Sequence, residues 1–282
     1  MNARVISGKE VAEDILSNDL RLRVEKLKDK NIVPKLVVIL VGEMKASASY
    51  VAQKEKFAGK AGIESEVRRF EEEISEREIL DEINKINSDT SIHGVIVQLP
   101  LPKHISVTKV LNSIDPSKDV DGFTPSNVGK LFLGEDTLVS CTPKGIMSIL
   151  QSADIDLTGK NVTVIGRSNI VGKPVSILCQ QQNATVTMCH SKTRDLNNKL
   201  ADADVIIVAA GVPKFINGNQ IPDGAVVVDV GIHNIEGKLC GDVDFESASK
   251  KASAITPVPG GVGPMTVCAL IENTIIAAER SS

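Results

Sequence analysis

Three residues at helical spacing carry side chains suited to acid–base work. At about 100° per residue, Tyr50, Val51, Lys54, Phe57, Ala58 and Ala61 fall on one side, and Gln53, Lys56 and Lys60 on the other. Lys54 therefore lies on the apolar face. Tyr50 stands one turn before it and Ser47 seven residues before it on the same stripe, which gathers an amine, a phenol and a hydroxyl. Apolar surroundings disfavour a charged ammonium and make such an amine usable as a base near neutral pH. A lysine there can equally snorkel to water or pair with a buried acid, and Tyr50 can be a core residue. Helical spacing alone does not decide between these readings.

A second constellation suits a pyrophosphate. The apolar run Asn161 to Ile165 leads directly into Gly166-Arg167-Ser168-Asn169-Ile170-Val171-Gly172-Lys173-Pro174 and then into an apolar helix. Such a junction offers backbone N–H groups and the positive end of a helix dipole to an anion, and glycine permits close approach. The spacing departs from G-x-G-x-x-G, and an ordinary tight turn in a parallel sheet would look similar. The following strand adds information. A site for NAD normally carries an acid about 20 residues on, to accept from the ribose hydroxyls. Here the chain has His190-Ser191-Lys192-Thr193 instead. Together with Arg167 these residues put donors and positive charge where a 2′-phosphate would sit, which predicts NADP rather than NAD; otherwise Ser191 and Lys192 form a solvated turn. Ile232, after the strand ending at Val230, is placed to offer backbone groups to the nicotinamide.

The elements that must hold these residues follow from the apolar pattern. Strands are predicted at Leu36 to Val41, Glu64 to Arg69 and Gly94 to Val97, with helices at Lys9 to Lys28, Ala48 to Ala61 and Glu76 to Ile86. Four more strands follow, at Val162 to Ile165, Thr185 to Met188, Val205 to Val208 and Ala225 to Val230. Strands alternating with helices imply an α/β fold with parallel sheets. A Pro/Gly-rich segment from Thr256 to Pro264 precedes a closing helix at Met265 to Ala278. The reading is two domains: residues 1–140, with the final helix, residues 265–282, packing back on them, and a Rossmann-type dinucleotide-binding domain at 141–264. The active site is expected in the cleft between the two.

Composition narrows the partners. A net charge of −4 with no long run of one sign points away from nucleic acid and anionic membranes and toward a small molecule. The five cysteines are scattered, without Cys-x-x-Cys or a nearby histidine at zinc-ligand spacing, so no metal site is expected. Residues Met1 to Arg23 mix acids and bases with no apolar core of the signal-peptide kind, and the expectation is a soluble, cytoplasmic protein.

Five ordered motifs, Tyr50-Val-Ala-Gln-Lys54, Gly94-Val-Ile-Val-Gln-Leu-Pro-Leu-Pro102, Lys118-Asp-Val-Asp-Gly122, Gly166 to Pro174 and Pro257-Val-Pro-Gly-Gly-Val-Gly-Pro-Met-Thr266, closely resemble the bifunctional methylenetetrahydrofolate dehydrogenase/methenyltetrahydrofolate cyclohydrolase family. The match spans nearly the whole chain, at the length of the short two-activity form. It implies NADP-dependent oxidation of 5,10-methylenetetrahydrofolate to the methenyl cation, followed by hydrolysis to 10-formyltetrahydrofolate, in a homodimer of one-carbon metabolism.

By the resemblance, Lys54 matches the catalytic lysine, Gln98 the residue that holds it, Tyr50 the residue packing on the folate rings and Asp121 the pterin-recognition acid. Without the resemblance, Gln98 reads as a turn residue closing a strand before Pro100. Ser47, Gly260 and Gly261 are further candidates at the substrate, and Gly166, Arg167, Ser168, Ser191 and Ile232 at the cofactor. Asp115 and Asp119 read as turn or capping residues. Ala46, Ala48 and Ser49 stand at positions where family members vary. Two other readings are an NADP dehydrogenase acting on a hydroxy or amino acid, which has no use for Tyr50, Lys54, Gln98 and Asp121 together, and a non-catalytic dinucleotide sensor, which has no use for Lys54.

Overall fold

The structure, a computed structural model, describes residues 2–42 and 45–281, and for residues 45–51 the backbone alone. In chain order it begins β1 (Arg4–Val5), α1 (Gly8–Ile15), a π-helical turn (Leu16–Leu20), α2 (Arg21–Lys28), β2 (Lys35–Val41), α3 (Lys45–Ala61), β3 (Glu64–Phe70), α4 (Glu76–Ser88), β4 (Gly94–Val97), α5 (Val107–Asn112), α6 (Pro125–Leu133) and α7 (Cys141–Ser152). It continues β5 (Asn161–Ile165), α8 (Gly172–Gln181), β6 (Thr185–Cys189), α9 (Leu196–Leu200), β7 (Val205–Val208), β8 (Val226–Asp229), β9 (His233–Ile235), β10 (Lys238–Cys240), α10 (Phe245–Ala248), β11 (Ala254–Ile255) and α11 (Val262–Arg280). Two compact units result, one of Asp14–Cys141 with Val267–Ser282 and the other of Met1–Glu13 with Thr142–Thr266.

In the first unit, β3, β2 and β4 pair in that order and in parallel, so each connection needs a crossover helix. Helices α3 and α4 supply them. The central strand, Lys-Leu-Val-Val-Ile-Leu-Val, is buried from Leu36 on, as a strand covered on both faces requires. Val37, Ile39 and Val41 pack with Ile79, Ile83 and Ile86 of α4 in one core cluster, the strand spacing of two meeting the helical spacing of four and three. A capping box starts α4: Ser75 Oγ accepts from Glu78 N and Glu78 Oε2 accepts from Ser75 N. The edge strand β3 is charged, with Arg68 bonded to Glu66 and Glu82, which suits a strand with one unpaired side. Past β4, Asp119 forms a parallel bridge with Val95, and the loop carrying Asp121 is thereby fastened to the sheet.

In the second unit, among the described residues, a six-stranded parallel sheet has the order β1-β11-β8-β7-β5-β6. The chain leaves β5 for β6 on one side and resumes at β7 on the other. That reversal is the kind of switch point at which open α/β sheets bind ligands beyond the carboxyl ends of the strands. Ile165, Ile206, Val208, Val227 and Ile255 form the core of one face with Leu200, Ala203 and Ile216.

Three features differ from the sequence reading. The residues before Asp14, expected with the first domain, belong to the second unit, because β1 pairs with β11 through Arg4↔Ala254 and Val5↔Ile255; two residues are too few to show a period of two. The helix expected over Lys9 to Lys28 is interrupted at Leu16–Leu20 by the π turn. The antiparallel hairpin of β9 and β10 was not anticipated, and its short strands are largely exposed, leaving no buried face to pattern them. Helix α11 is long and apolar enough to cross a bilayer, but most of it is buried within the protein. Its wholly buried Asn273 donates from Nδ2 to Val120 O and Val139 O, each at 2.8 Å, which satisfies the amide and ties α11 to the Asp121 loop.

Candidate functional site

The first unit brings Lys54, Gln98 and Asp121 together. Gln98 directly follows β4, and Asp121 follows the bridged residue Asp119, so both lie past the carboxyl ends of parallel strands. Half-buried Lys54 donates from Nζ to Gln98 Oε1 at 3.0 Å, while Gln98 Nε2 donates to Leu99 O at 3.0 Å. The two bonds fix the amide orientation together, since reversing it would face an N–H donor toward the amine. A neutral amide thus holds the lysine in place through a hydrogen bond and not an ion pair.

The Asp121 carboxyl is pushed up to about 6 by burial, with the nearby Asp119 carboxylate adding to the rise and the Lys54 charge and the Cys141 thiol opposing it. Cys141 Sγ lies 3.9 Å from Asp121 Oδ1 and donates to Val120 O at 3.2 Å. Asp119 has a different role. It is buried and accepts from Gly122 N, Thr124 N and Asn127 Nδ2, so it shapes the turn that presents Asp121. Asp115 likewise caps a turn through Ser117. The side chains of Ser47 and Tyr50 lie outside the described residues; the backbone of both belongs to α3.

The second unit holds the other set. Gly166, at φ +133, closes β5, and a Cβ there would strike Ala209 O; at Gly172 one would strike Gly166 O. Both positions thus need glycine for close backbone approach. The turn is organised by Ser168, whose Oγ accepts from Val171 N at 3.1 Å and Gly172 N at 3.3 Å and whose carbonyl accepts from Lys173 N at 3.0 Å. With Pro174 next, the opening N–H groups of α8 are met inside the loop rather than facing an anion. Both acceptor positions of the Ser168 hydroxyl are filled, so its proton is the group left to donate outward. Arg167, Ser168, Ser191, Lys192 and Ile232 are exposed. Gly260, at φ +100, and the buried Gly261 also lie in this unit, where Gly260 O accepts from Lys9 N at 3.0 Å.

One network escaped the sequence reading. Buried Asp229, at the end of β8, accepts from Gly231 N, Asp242 N and Val243 N, and burial pushes its carboxyl up to about 6. Asp242, also buried, accepts from Gly211 N at 2.8 Å and pairs with His233 Nε2 at 2.7 Å. The two carboxylates pin the loops at the carboxyl ends of β7 and β8. The only signal was two acids, Asp229 and Asp242, next to glycine-bearing loops, which is not distinctive.

Residues 6–121 match the family described as tetrahydrofolate dehydrogenase/cyclohydrolase, catalytic domain, and residues 140–282 match its NAD(P)-binding domain. The chain belongs to the tetrahydrofolate dehydrogenase/cyclohydrolase family. The bifunctional protein FolD of Bacillus subtilis is 51% identical over 282 residues, covering 100% of this chain and 99% of the relative. The bifunctional FolD methylenetetrahydrofolate dehydrogenase/cyclohydrolase of Campylobacter jejuni has a solved structure with a TM-score of 0.96 at 48% identity, covering 99% of each chain. That of Trypanosoma brucei, complexed with NADP cofactor and inhibitor, gives a TM-score of 0.94 at 37% identity over 100% of this chain and 99% of its own. Likeness along the full length extends the tetrahydrofolate dehydrogenase/cyclohydrolase assignment to both units.

Proposed function

We infer that this chain catalyses two successive steps: NADP-dependent oxidation of 5,10-methylenetetrahydrofolate to 5,10-methenyltetrahydrofolate, and hydrolysis of the latter to 10-formyltetrahydrofolate. We assign hydrolysis and the side chains that recognise folate to the first unit, and cofactor binding to the second. The observation that carries the assignment is the Lys54–Gln98 hydrogen bond beside an aspartate that feels the lysine charge.

Asp121 recognises the pterin, because a carboxylate accepts a pair of N–H donors from its amino and ring nitrogens. The pterin N–H groups take over the stabilisation of the ionised carboxylate that burial withholds from it. Tyr50 offers a π-face to the flat ring, and Ser47 a hydroxyl on the same stripe. Gly260 and Gly261 let backbone approach the substrate. In hydrolysis, water adds to the cationic bridge carbon, and protons then pass between the new hydroxyl and the ring nitrogen that leaves. Lys54 is the group that moves them, held in position by Gln98. A folate retained by Asp121 stays in place between the two reactions, so one site serves both.

The residues of the second unit fit NADP. Gly166 clears room for the pyrophosphate, Ser168 donates its free hydroxyl proton, and Arg167 with Ser191 faces the 2′-phosphate, while β6 ends without the carboxylate that would repel it. Ile232 supplies backbone groups to the nicotinamide. When bound, NADP accepts the hydride from the bridge carbon. The family resemblance supports a cytoplasmic homodimer as a further proposal, and sedimentation velocity checks the oligomeric state.

The test is absorbance on mixing the purified protein with 5,10-methylenetetrahydrofolate and NADP, following NADPH formation and then methenyl decay. Turnover in both phases is expected; NADPH formation with no accelerated methenyl loss would remove the cyclohydrolase assignment.

A further inference from the structure

The turn after β6 is held more firmly than a solvated loop needs. Thr193 Oγ1 accepts from His190 N at 2.8 Å, His190 O accepts from Thr193 N at 2.8 Å, and His190 Nδ1 accepts from Lys192 N at 3.1 Å. All three bonds fall on the neighbours of Ser191, which is itself exposed, while the His190 ring is half-buried. The turn is also fastened to the pyrophosphate loop, since Cys189 O accepts from Gly166 N at 2.9 Å. The ring nitrogen serves here as the acceptor of a backbone N–H. Its use here is geometric, closing a turn by bonding to the backbone two residues on, as an Asx turn does.

We propose that His190 is a positioning residue for cofactor choice: its acceptor Nδ1 closes the 190–193 turn and so holds Ser191 and Lys192 where a 2′-phosphate is recognised. The proposal rests on the cofactor-site reading above. A dinucleotide lacking the 2′-phosphate has nothing to gain from that pair, so loosening the turn penalises NADP alone. A scaffold residue would instead weaken both cofactors together. The separation is therefore visible in a ratio rather than in a single affinity.

The test is the dehydrogenase KM for NADP and for NAD in His190→Leu, His190→Asn, Thr193→Val and Ser191→Ala, with cyclohydrolase turnover as the check that each variant is folded. His190→Leu removes the acceptor and is expected to raise the NADP KM about three- to tenfold, the weight of one hydrogen bond, with the NAD KM unchanged. His190→Asn restores an acceptor for the Lys192 N–H and is expected to restore the wild-type ratio. Thr193→Val opens the same turn from its other side and is expected to lower the preference as well, so the question stays answerable if His190→Leu does not fold. Equal losses for the two cofactors, or an unchanged ratio in both His190→Leu and Thr193→Val while Ser191→Ala lowers it, would overturn the role of His190 alone. An unchanged ratio in Ser191→Ala would overturn the cofactor-site reading and this proposal with it.

Discussion

At the scale of single residues, the site depends on placing two half-buried chargeable groups, Lys54 and Asp121, close enough for the lysine charge to act on the carboxyl. An ordinary aspartate titrates near 3.8, and burial pushes Asp121 up to about 6. Between those values the folded chain keeps a proton that the unfolded chain releases, so this residue's contribution to stability falls as pH rises from about 4 through about 6. The full penalty, at most about 3 kcal/mol, is present above that window and absent below it. Asp121→Asn is therefore expected to raise the thermal midpoint of the free protein at about pH 8 and to leave it unchanged at about pH 4, while weakening folate binding. Thermal denaturation at the two pH values checks the first part and titration with a folate the second. Unchanged folate affinity would count against its recognition role. Lys54 was legible as a lysine on an apolar face, but its partner was not. Gln98 is 44 residues away, and only the closing of β4 against β2 brings it near; within its own segment it resembles any residue that closes a strand ahead of a proline turn.

At the scale of elements, strands and turns contribute differently. The runs Leu36 to Val41 and Gly94 to Val97 were readable because every residue in them is buried and apolar. The strand-to-helix turn at Gly166 was readable because glycine and proline punctuate it. The hydrogen-bond allocation inside that turn was not, since Ser168 takes up donors that a bare helix start would leave open. Ser168→Ala should consequently do two things at once. It should lower stability by about 1 kcal/mol, as removal of a capping hydroxyl does, and raise the NADP KM several-fold by removing the donor to phosphate. Calorimetry and dehydrogenase kinetics read the two effects separately, and a stability loss with no change in KM would limit Ser168 to capping. The Asn273 amide is a comparable device in α11. Asn273→Leu leaves the Val120 and Val139 carbonyls without that donor and is expected to cost about 1–3 kcal/mol, with folate affinity falling because Val120 adjoins Asp121. Wild-type affinity in a destabilised variant would show that the loop holds its shape without the amide.

At the scale of the whole molecule, two units carry two kinds of binding, and chain order only partly mirrors them. The alternation of strands and helices made the two-domain α/β class readable. Residues 2–13 went unread as part of the second unit, because a short strand at Arg4–Val5 gains its place from pairing with β11 some 250 residues later and not from any local pattern. The division of labour predicts that the two activities respond to different substitutions. Lys54→Met is the most direct probe, because methionine keeps the length and apolar stem of lysine while removing the amine. Its measurement is methenyl-tetrahydrofolate decay by absorbance, together with NADP binding by the same variant. Enzyme-accelerated hydrolysis is expected to fall by at least about 100-fold, the lower range for loss of a general acid–base group, with NADP affinity as in the wild type. Hydrolysis at the wild-type rate, or loss of NADP binding in a folded variant, would contradict that division of labour.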